Sequence, residues 1–188
     1  MARHLKRHAI LSETTTFDDK GNLRVVIETP KGSRTKYAYD PACDCFNVKT
    51  VMPQGMSFPF DFGFIPSTEG GDGDPLDVLI LMDFSLIAGA VLTARPIGII
   101  AAKEKKKGED WERNDRIIAV ATHARTHDGV RSLKDLNSHL VEEITAFFVE
   151  YNKLHGKKFK PLHDAGPHAA QKAIEQGRKR FRKKSRSH

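Results

Sequence analysis

The sequence predicts a β-rich α+β domain in which short strands close into a small barrel and two helices pack outside it. Its 188 residues match the length of one ordinary domain, and 39% hydrophobic residues suffice to bury a core. Short β-like runs separated by turn residues come first, and a helical period of apolar residues follows them. The chain shows no internal repeat and no linker, so we expect residues 1–170 to form one domain.

The predicted strands follow one another between residues 23 and 122. Residues 23–28 and 34–39 flank a turn at residues 30–33, and this pattern predicts a hairpin. Further strand candidates are residues 46–52, 77–82, 91–96, 97–102 and 116–122. Pro96 marks an edge, bulge or break between two of them, because proline cannot donate to a strand ladder. This number of short strands favours a small closed barrel.

Two helices are predicted after the strands. Apolar residues recur at three- and four-residue steps, at Leu133, Leu136, Leu140, Ile144, Phe147 and Tyr151. This spacing places them on one face of a helix, for which Ser132 is a candidate N-cap with Asp135 three residues later. A shorter second helix is expected to begin near Pro167, a residue suited to the first helical position, and to end before Gly177.

The charge of the chain is concentrated at one end. The formal net charge is +7, and residues 171–188 contain eight Lys and Arg against one Glu. We therefore expect a charge-balanced domain followed by a mobile basic tail over residues 171–188. No apolar stretch approaches the roughly 20 residues that cross a bilayer, so we expect a cytoplasmic protein. Cys43 and Cys45 are predicted to be free thiols, because neighbours on one strand face are awkward to bridge.

The loop at residues 69–77 is the most informative segment. It places Asp72, Asp74 and Asp77 within six residues, in a Gly/Pro-rich loop directly before a predicted strand. Crowded carboxylates stay ionised only when cations neutralise them, and otherwise their pKa values rise. Carboxylate oxygens suit a hard cation such as Mg²⁺ or Mn²⁺. A calcium-binding EF-hand fails on spacing, whereas a solvated acidic turn remains an alternative for the loop taken alone.

Other charged residues acquire meaning beside this loop. Glu28 ends one predicted strand, Lys36 lies in the next, and Glu104, Asp115 and Arg116 surround the entrance to another. Each of them alone is an ordinary surface charge. A fold that gathers them would place metal ligands opposite cations that bind phosphate oxygens, which is a site for splitting a phosphoanhydride.

The sequence DGDPLDV at residues 72–78 resembles the signature loop of the soluble family I inorganic pyrophosphatases. Further motifs follow in that family's order between residues 23 and 151: VVIETP at 25–30, KY at 36–37, FP at 58–59, GFIP at 63–66, RPIG at 95–98, and FF at 147–148 with Tyr151. The resemblance implies a closed five-stranded OB-type barrel that binds several Mg²⁺ ions, with Mn²⁺ as the alternative, and hydrolyses pyrophosphate to two orthophosphates. It also implies a homo-oligomer, with a hexamer as one candidate.

The resemblance assigns roles to individual residues. The implied metal ligands are Glu28, Asp72, Asp74, Asp77, Glu104 and Asp115, and the implied phosphate-binding residues are Lys36, Lys49, Arg116, Tyr151 and Lys153. Asp74 is also the expected base towards the attacking water, and Lys36, Arg116 and Tyr151 complete the expected catalytic set. Water shared between metal ions loses its proton easily, and an adjacent carboxylate can accept that proton.

The sequence departs from the family pattern at several phosphate-binding positions. Ala38 stands where a carboxylate is usual, Phe58 and Phe62 replace tyrosines, and Asn152 replaces the lysine after Tyr151. Lys49 is taken as the counterpart of the usual arginine, and Lys153 lies one place late. The two phenol donors expected at positions 58 and 62 are therefore missing from the site.

A further departure lies in the expected metal-binding loop, where residues 105–114 resemble an insertion. Glu104 stands where an aspartate is typical, and the second acid is Asp110 or Asp115. We prefer Asp115, because it directly precedes Arg116 and the strand.

A function from another class is also consistent with the sequence. A catalytically inactive OB-type module could bind nucleic acid through the basic tail. The balanced charge of the rest of the chain argues against this alternative.

Overall fold

The structure of the protein is a computed structural model that describes residues 11–186. The strands are β1 (Leu23–Thr29), β2 (Thr35–Asp40), β3 (Cys45–Val51), β4 (Asp61–Ile65), β5 (Leu76–Leu81), β6 (Val91–Lys105), β7 (Glu112–Arg113), β8 (Arg116–Ala121) and β9 (Lys158–Ala165). The helices are α1 (Ser138–Leu154) and α2 (Pro167–Ser185), and short 3₁₀ turns lie at Leu11–Glu13 and Leu133–Asp135.

Five strands form a continuous ring of hydrogen-bonded pairs. β1 pairs with β4 and with β6, β4 pairs with β5, and β8 pairs with β5 and β6. The β5–β8 pair is parallel and the other four are antiparallel. The predicted fold, a five-stranded barrel with two helices outside it, is confirmed.

The core of the protein comes mainly from these barrel strands. Fully buried side chains include Val25, Ile27, Leu79, Ile80, Leu81, Ile97, Ile117, Ile118 and Val120. Gly63 of β4 allows β1 to approach closely, because a Cβ atom there would lie 2.0 Å from the carbonyl oxygen of Val26. Burial of this continuous apolar surface is the main stabilising contribution to the barrel.

Several strand assignments differ from the prediction. Residues 91–96 and 97–102 belong to one strand, β6, with a register shift between Pro96 and Gly98 where it pairs with β8. β4 and β9 were not predicted. β4 is buried along its whole length and so lacks polar alternation, and β9 contains Pro161.

The predicted hairpin between β1 and β2 is wrong, because β2 pairs with β3 in a separate sheet. Side chains of β1 instead accept hydrogen bonds from main-chain N–H groups of β2. The Tyr39 N–H donates to Glu28 Oε1 at 2.7 Å, and the Tyr37 N–H donates to Thr29 Oγ1 at 3.1 Å. The turn at residues 30–33 is stabilised by a hydrogen bond from the Gly32 N–H to the Phe58 carbonyl at 2.8 Å.

Both predicted helices are present, with different ends. Ser132 and Asp135 form the predicted capping box, but on the 3₁₀ turn, and α1 begins later with Asn137 as its N-cap. Helix α2 starts at Pro167 as predicted, yet it continues through Gly177 to Ser185. Glycine ends a helix when it adopts a left-handed conformation. Gly177 instead allows close packing, because a Cβ there would lie 2.7 Å from Leu76 Cδ1.

The basic residues predicted as a tail therefore belong largely to α2, whose Ile174 is fully buried. The mobility of residues 171–188, and the division of the chain at residue 170, stay predictions. Within residues 11–186, no helix combines the length and the apolar character that crossing a membrane requires.

Cys43 and Cys45 form a disulfide bond, so the prediction of free thiols is wrong. The prediction assumed that both residues lie on one strand face. Cys43 instead lies in the turn that precedes β3, and Asp44 has a positive φ of 49°. This turn brings the two Cα atoms to 5.4 Å, which is within the range for a disulfide.

Candidate active site

A cavity of about 1070 Å³ gathers most of the residues that the sequence singled out. Its lining includes Glu28, Lys36, Lys49, Asp72, Asp74, Asp77, Glu104, Arg116 and Tyr151. A second cavity, of about 800 Å³, lies along α1 and contains one basic side chain, Lys134. The cations that could hold a phosphate are therefore concentrated in the first cavity.

The acidic loop lies between Ile65 and β5, and short-range contacts hold its shape. Gly70 N–H donates to the Asp74 carbonyl at 2.6 Å, and Asp74 N–H donates to Asp72 Oδ1 at 3.2 Å. Gly73 has a φ of +84°, which a residue with a Cβ rarely adopts. Burial raises the pKa of Asp72, and the negative charges of Asp77 and Asp74 add to that increase.

Glu28 faces the same loop from the end of β1. Its pKa is raised to about 7, chiefly by burial and also by the charges of Asp77 and Asp74, against the lowering effects of the Tyr39 N–H and Lys36. The carboxylates of Glu28, Asp72, Asp74 and Asp77 thus share one negative region.

Arg116 and Lys157 form ion pairs with the carboxylates of Asp77 and Glu104 in the same cavity. Arg116 Nη1 lies 2.5 Å from Asp77 Oδ2, and Arg116 Nη2 lies 3.8 Å from Glu104 Oε2. Lys157 Nζ lies 2.5 Å from Glu104 Oε1. The Arg116 guanidinium is almost fully buried and lies 5.0 Å from the centre of the Phe148 ring. Glu104 is thereby neutralised by protein cations.

The structure does not bring Asp115 or Asp110 into the lining of this cavity. The Asp115 carboxylate accepts from the Ala102 N–H at 3.0 Å and pairs with Arg113. Asn114 faces the cavity in its place, and its Nδ2 donates to Glu104 Oε2 at 3.1 Å. Alternate residues of an extended chain share a face, so Asn114 lies on the same side as Arg116. That alternation could have identified Asn114 from the sequence.

The phosphate-binding candidates on α1 are only partly brought together. Tyr151 lines the cavity, and Lys36 Nζ lies 5.5 Å from its ring centre. Lys153 does not reach the cavity, because it follows Tyr151 by two positions and therefore lies about 200° around the helix from it. Lys153 instead pairs with Glu150 at 3.3 Å. Asn152 is buried, and its Nδ2 donates to the Phe148 carbonyl at 2.9 Å.

The lining residues that sequence reasoning missed include His155 and Lys157. His155 follows Tyr151 by four residues, its ring centre lies 4.5 Å from that of Tyr151, and its Nε2 lies 3.2 Å from Thr50 Oγ1. The four-residue helical spacing was an available signal for His155. No local signal identified Lys157, whose partner Glu104 is distant in sequence.

The two phenylalanines at the expected tyrosine positions lie in the core. Phe58 and Phe62 are each 2% exposed, and their ring centres lie 5.6 Å apart. Lys36 Nζ lies 5.0 Å from the Phe62 ring centre, a cation–π distance. The Phe62 ring thus supports Lys36, and neither phenylalanine supplies a donor to the cavity.

The carboxylates around the acidic loop fit a hard divalent cation in their chemistry. Within residues 11–186, no three His, Cys, Asp or Glu side chains converge closely enough in this structure to hold a metal ion as they stand. Burial, with a smaller effect of the neighbouring carboxylates, raises the pKa values of Glu28 and Asp72, so a cation bound beside them would favour their ionised forms. Oxygen-only ligands of this type suit Mg²⁺ or Mn²⁺.

Known proteins with similar sequences and folds include inorganic pyrophosphatases. The inorganic pyrophosphatase family model matches residues 25–182. The inorganic pyrophosphatase of Synechocystis sp. is 38% identical over 147 residues, which are 78% of this chain and 84% of the relative. That of Saccharolobus solfataricus is 40% identical over 139 residues, or 73% and 78% of the two chains.

The crystal structure of inorganic pyrophosphatase from Thermus thermophilus superposes with a TM-score of 0.84 at 30% identity, covering 93% of this chain and 99% of that chain. The family match, the sequence relatives and the fold therefore agree. The chain belongs to the inorganic pyrophosphatase family.

Proposed function

We propose that the protein is a hydrolase that splits inorganic pyrophosphate into two orthophosphates with the help of Mg²⁺. The observation that carries this proposal is that Glu28 and the acidic loop line the same cavity as Lys36 and Arg116. Carboxylates opposite cations suit a substrate that carries several negative phosphate oxygens and requires divalent cations. Membership of the inorganic pyrophosphatase family supports the same reaction.

Glu28, Asp72, Asp74 and Asp77 are the residues proposed to hold Mg²⁺, with Mn²⁺ as the alternative ion. Bound Mg²⁺ would supply positive charge that lowers the pKa of a nearby water and stabilises charge on phosphate oxygens. Asp74, the central carboxylate of the loop, is proposed to accept the proton of the attacking water. Because the carboxylate accepts the proton directly, no hydronium ion has to form beside the cations of the site.

Protein cations are proposed to hold the phosphates and to neutralise the leaving group. Arg116 is buried beside Asp77, and Lys36 is supported by aromatic rings, so both present their charge with little freedom of movement. Tyr151 can donate its phenol proton, and Lys49 can reach the cavity as a flexible point charge. Glu104 is proposed to position Arg116 and Lys157 and not to bind metal, since protein donors already surround its oxygens.

Orthophosphate release from pyrophosphate, measured with and without Mg²⁺, tests the proposal. We expect release that requires a divalent metal, and no release above background with any such metal would overturn the proposal. The alternative of an inactive nucleic-acid-binding module predicts that second result. Homo-oligomerisation, with a hexamer as one candidate, stays a prediction that light scattering can test, and so does a cytoplasmic location.

A further inference from the structure

The basic half of α2 contacts the candidate active site. Its residues Phe181 and Lys184 line the candidate active-site cavity, and other residues of the same helix face contact the acidic loop. We propose that Arg180 and Lys184 are positioning residues that fix the acidic loop at residues 69–77 in the shape required for binding a divalent cation. This inference rests on the proposed function, because it assigns the loop a metal-binding role.

The contact is centred on Glu69, at the start of the loop. Glu69 N–H donates to the Gly177 carbonyl at 3.1 Å, and the Glu69 carbonyl accepts from Arg180 Nε at 2.7 Å. Glu69 Oε2 lies 3.1 Å from Lys184 Nζ. The main-chain N–H, the main-chain carbonyl and one carboxylate oxygen of Glu69 thus all contact α2.

The three α2 residues in this contact share one face of the helix. Gly177, Arg180 and Lys184 are separated by three and four residues, which is the spacing of neighbours along a helix surface. Lys184 lies beyond residue 182, where the match to the family model ends. The contact is therefore built partly from residues outside the matched stretch.

The stem of the loop is fixed at the same place. Thr68 is 2% exposed, and its Oγ1 accepts from the Leu76 N–H at 3.1 Å, which joins the two ends of the loop. A Cβ at Gly177 would lie 3.2 Å from Thr68 Cβ and 2.7 Å from Leu76 Cδ1. The helix thus packs directly against both ends of the loop.

A fixed shape matters because the carboxylates of the loop repel one another. Asp72, Asp74 and Asp77 lie within six residues of one another and line the same cavity. An unsupported Gly/Pro-rich loop would relieve this repulsion by opening, and a metal ion would then have to restore the compact form at a cost in affinity. Contacts that hold Glu69 in the metal-free protein reduce this cost.

Positioning and simple electrostatics predict opposite signs for the same substitution. Removal of two cations near an acidic loop should strengthen cation binding if Arg180 and Lys184 act only through their charge. Loss of positioning should weaken it. The test is therefore Arg180→Gln with Lys184→Gln, because glutamine retains helix propensity.

The matched control is Lys179→Gln with Arg182→Gln. Both residues are exposed on α2, and neither side chain makes a hydrogen bond or ion pair within the part of the chain that the structure describes. The control removes the same formal charge from the same helix without touching Glu69.

Mn²⁺ binding by the metal-free full-length chain, measured by electron paramagnetic resonance, is the first readout. We expect the Arg180/Lys184 variant to bind Mn²⁺ about three- to tenfold more weakly, while the control changes by less than about twofold. Unchanged or tighter binding in the first variant, or equal changes in both, would overturn the inference.

Amide hydrogen exchange of the loop in EDTA is the second readout and needs no metal. Exchange of the Gly70 amide should accelerate about three- to tenfold in the Arg180/Lys184 variant and stay unchanged in the control. Equal exchange in the two variants contradicts the inference. A wild-type chain that binds no Mn²⁺ would refute the proposed metal site, whereas exchange would still decide whether α2 fixes the loop.

The single variant Glu69→Gln covers the case in which the double variant does not fold. It weakens the ion pair with Lys184 and retains both main-chain hydrogen bonds of residue 69. A smaller acceleration of Gly70 exchange supports the inference, and wild-type exchange contradicts it.

Discussion

Replacement of Glu28 by glutamine should make the metal-free protein more stable at neutral pH, although the residue is proposed to be functional. Glu28 has a pKa raised from 4.5 to about 7, chiefly because burial disfavours its charged form. Glutamine has the same shape, carries no charge, and can still accept the hydrogen bond that the Tyr39 N–H donates at 2.7 Å. The substitution therefore removes the penalty of ionisation and preserves the contact.

The magnitude follows from linkage between protonation and folding. Below about pH 4.5 the carboxyl is protonated in both the folded and the unfolded chain, so it contributes no penalty. Between about pH 4.5 and 7 the unfolded chain has lost the proton and the folded chain still holds it, so stability falls as pH rises. The rise of the Glu28 pKa from 4.5 to about 7 corresponds to about 3 kcal/mol of lost stability once both states are ionised.

Urea denaturation of both proteins in EDTA, at several values between about pH 5 and 8, measures the effect. The stability advantage of Glu28→Gln should grow by about 2 to 3 kcal/mol across this range. A difference that does not change with pH, or a variant that is less stable than wild type at pH 8, would refute the reasoning.

Asp83→Asn is a control of opposite sign. Hydrogen bonds from Thr126 and from the Arg125 N–H hold the pKa of Asp83 at about 2. Its contribution to stability is present above its unfolded value of 3.8 and is lost as pH falls towards about 2. Asp83→Asn should therefore be less stable than wild type by an amount that stays constant between about pH 5 and 8.

Three further predictions concern the cavity. Asp74→Asn should lower turnover by about two to four orders of magnitude at saturating Mg²⁺ with folding intact, and near-normal turnover would place the base elsewhere. If Lys49 compensates for the missing tyrosines, Lys49→Ala should weaken pyrophosphate affinity by more than the roughly 0.5 to 1.5 kcal/mol of a neutral hydrogen bond, measured as KM and by calorimetry. Tighter binding by Phe62→Tyr with no effect of Lys49→Ala contradicts that idea. Lys157→Met removes the cation that pairs with Glu104 and should tighten Mn²⁺ binding about two- to fivefold. The control Lys158→Met, at an exposed position, should leave Mn²⁺ binding unchanged. Equal effects of the two variants would contradict the placement of Lys157 beside the metal-binding carboxylates.

Features that depend on neighbouring residues were predictable from the sequence. The acidic loop was identified because Asp72, Asp74 and Asp77 are close along the chain, and their proximity in space follows from that. The apolar period of α1 and Pro167 at the start of α2 were read correctly for the same reason. Turn geometry was harder: residue order alone did not show that the turn containing Asp44 would bring two cysteines together.

Strand pairing was only partly predictable. The number of short strands indicated a barrel, but β2 pairs with β3 and not with β1. Register and partner choice depend on which side chains satisfy main-chain groups across the gap, as Glu28 and Thr29 do for β2. Gly177 was read as the end of a helix because its local chemistry permits that, and only packing against Leu76 explains why the helix continues.

The sequence by itself indicated the reaction class, because its contiguous acidic loop and separate basic motifs resemble those of the family I inorganic pyrophosphatases, and such motifs are visible without a fold. Tertiary structure decided which side chains complete the site. Lys157 meets Glu104 across 53 residues, and Arg180 meets Glu69 across 111 residues. Such contacts arise when the whole chain buries its apolar surface, and no local propensity encodes them. Asn114 faces the cavity and Asp115 does not, because the chain there is extended and alternate residues face opposite sides.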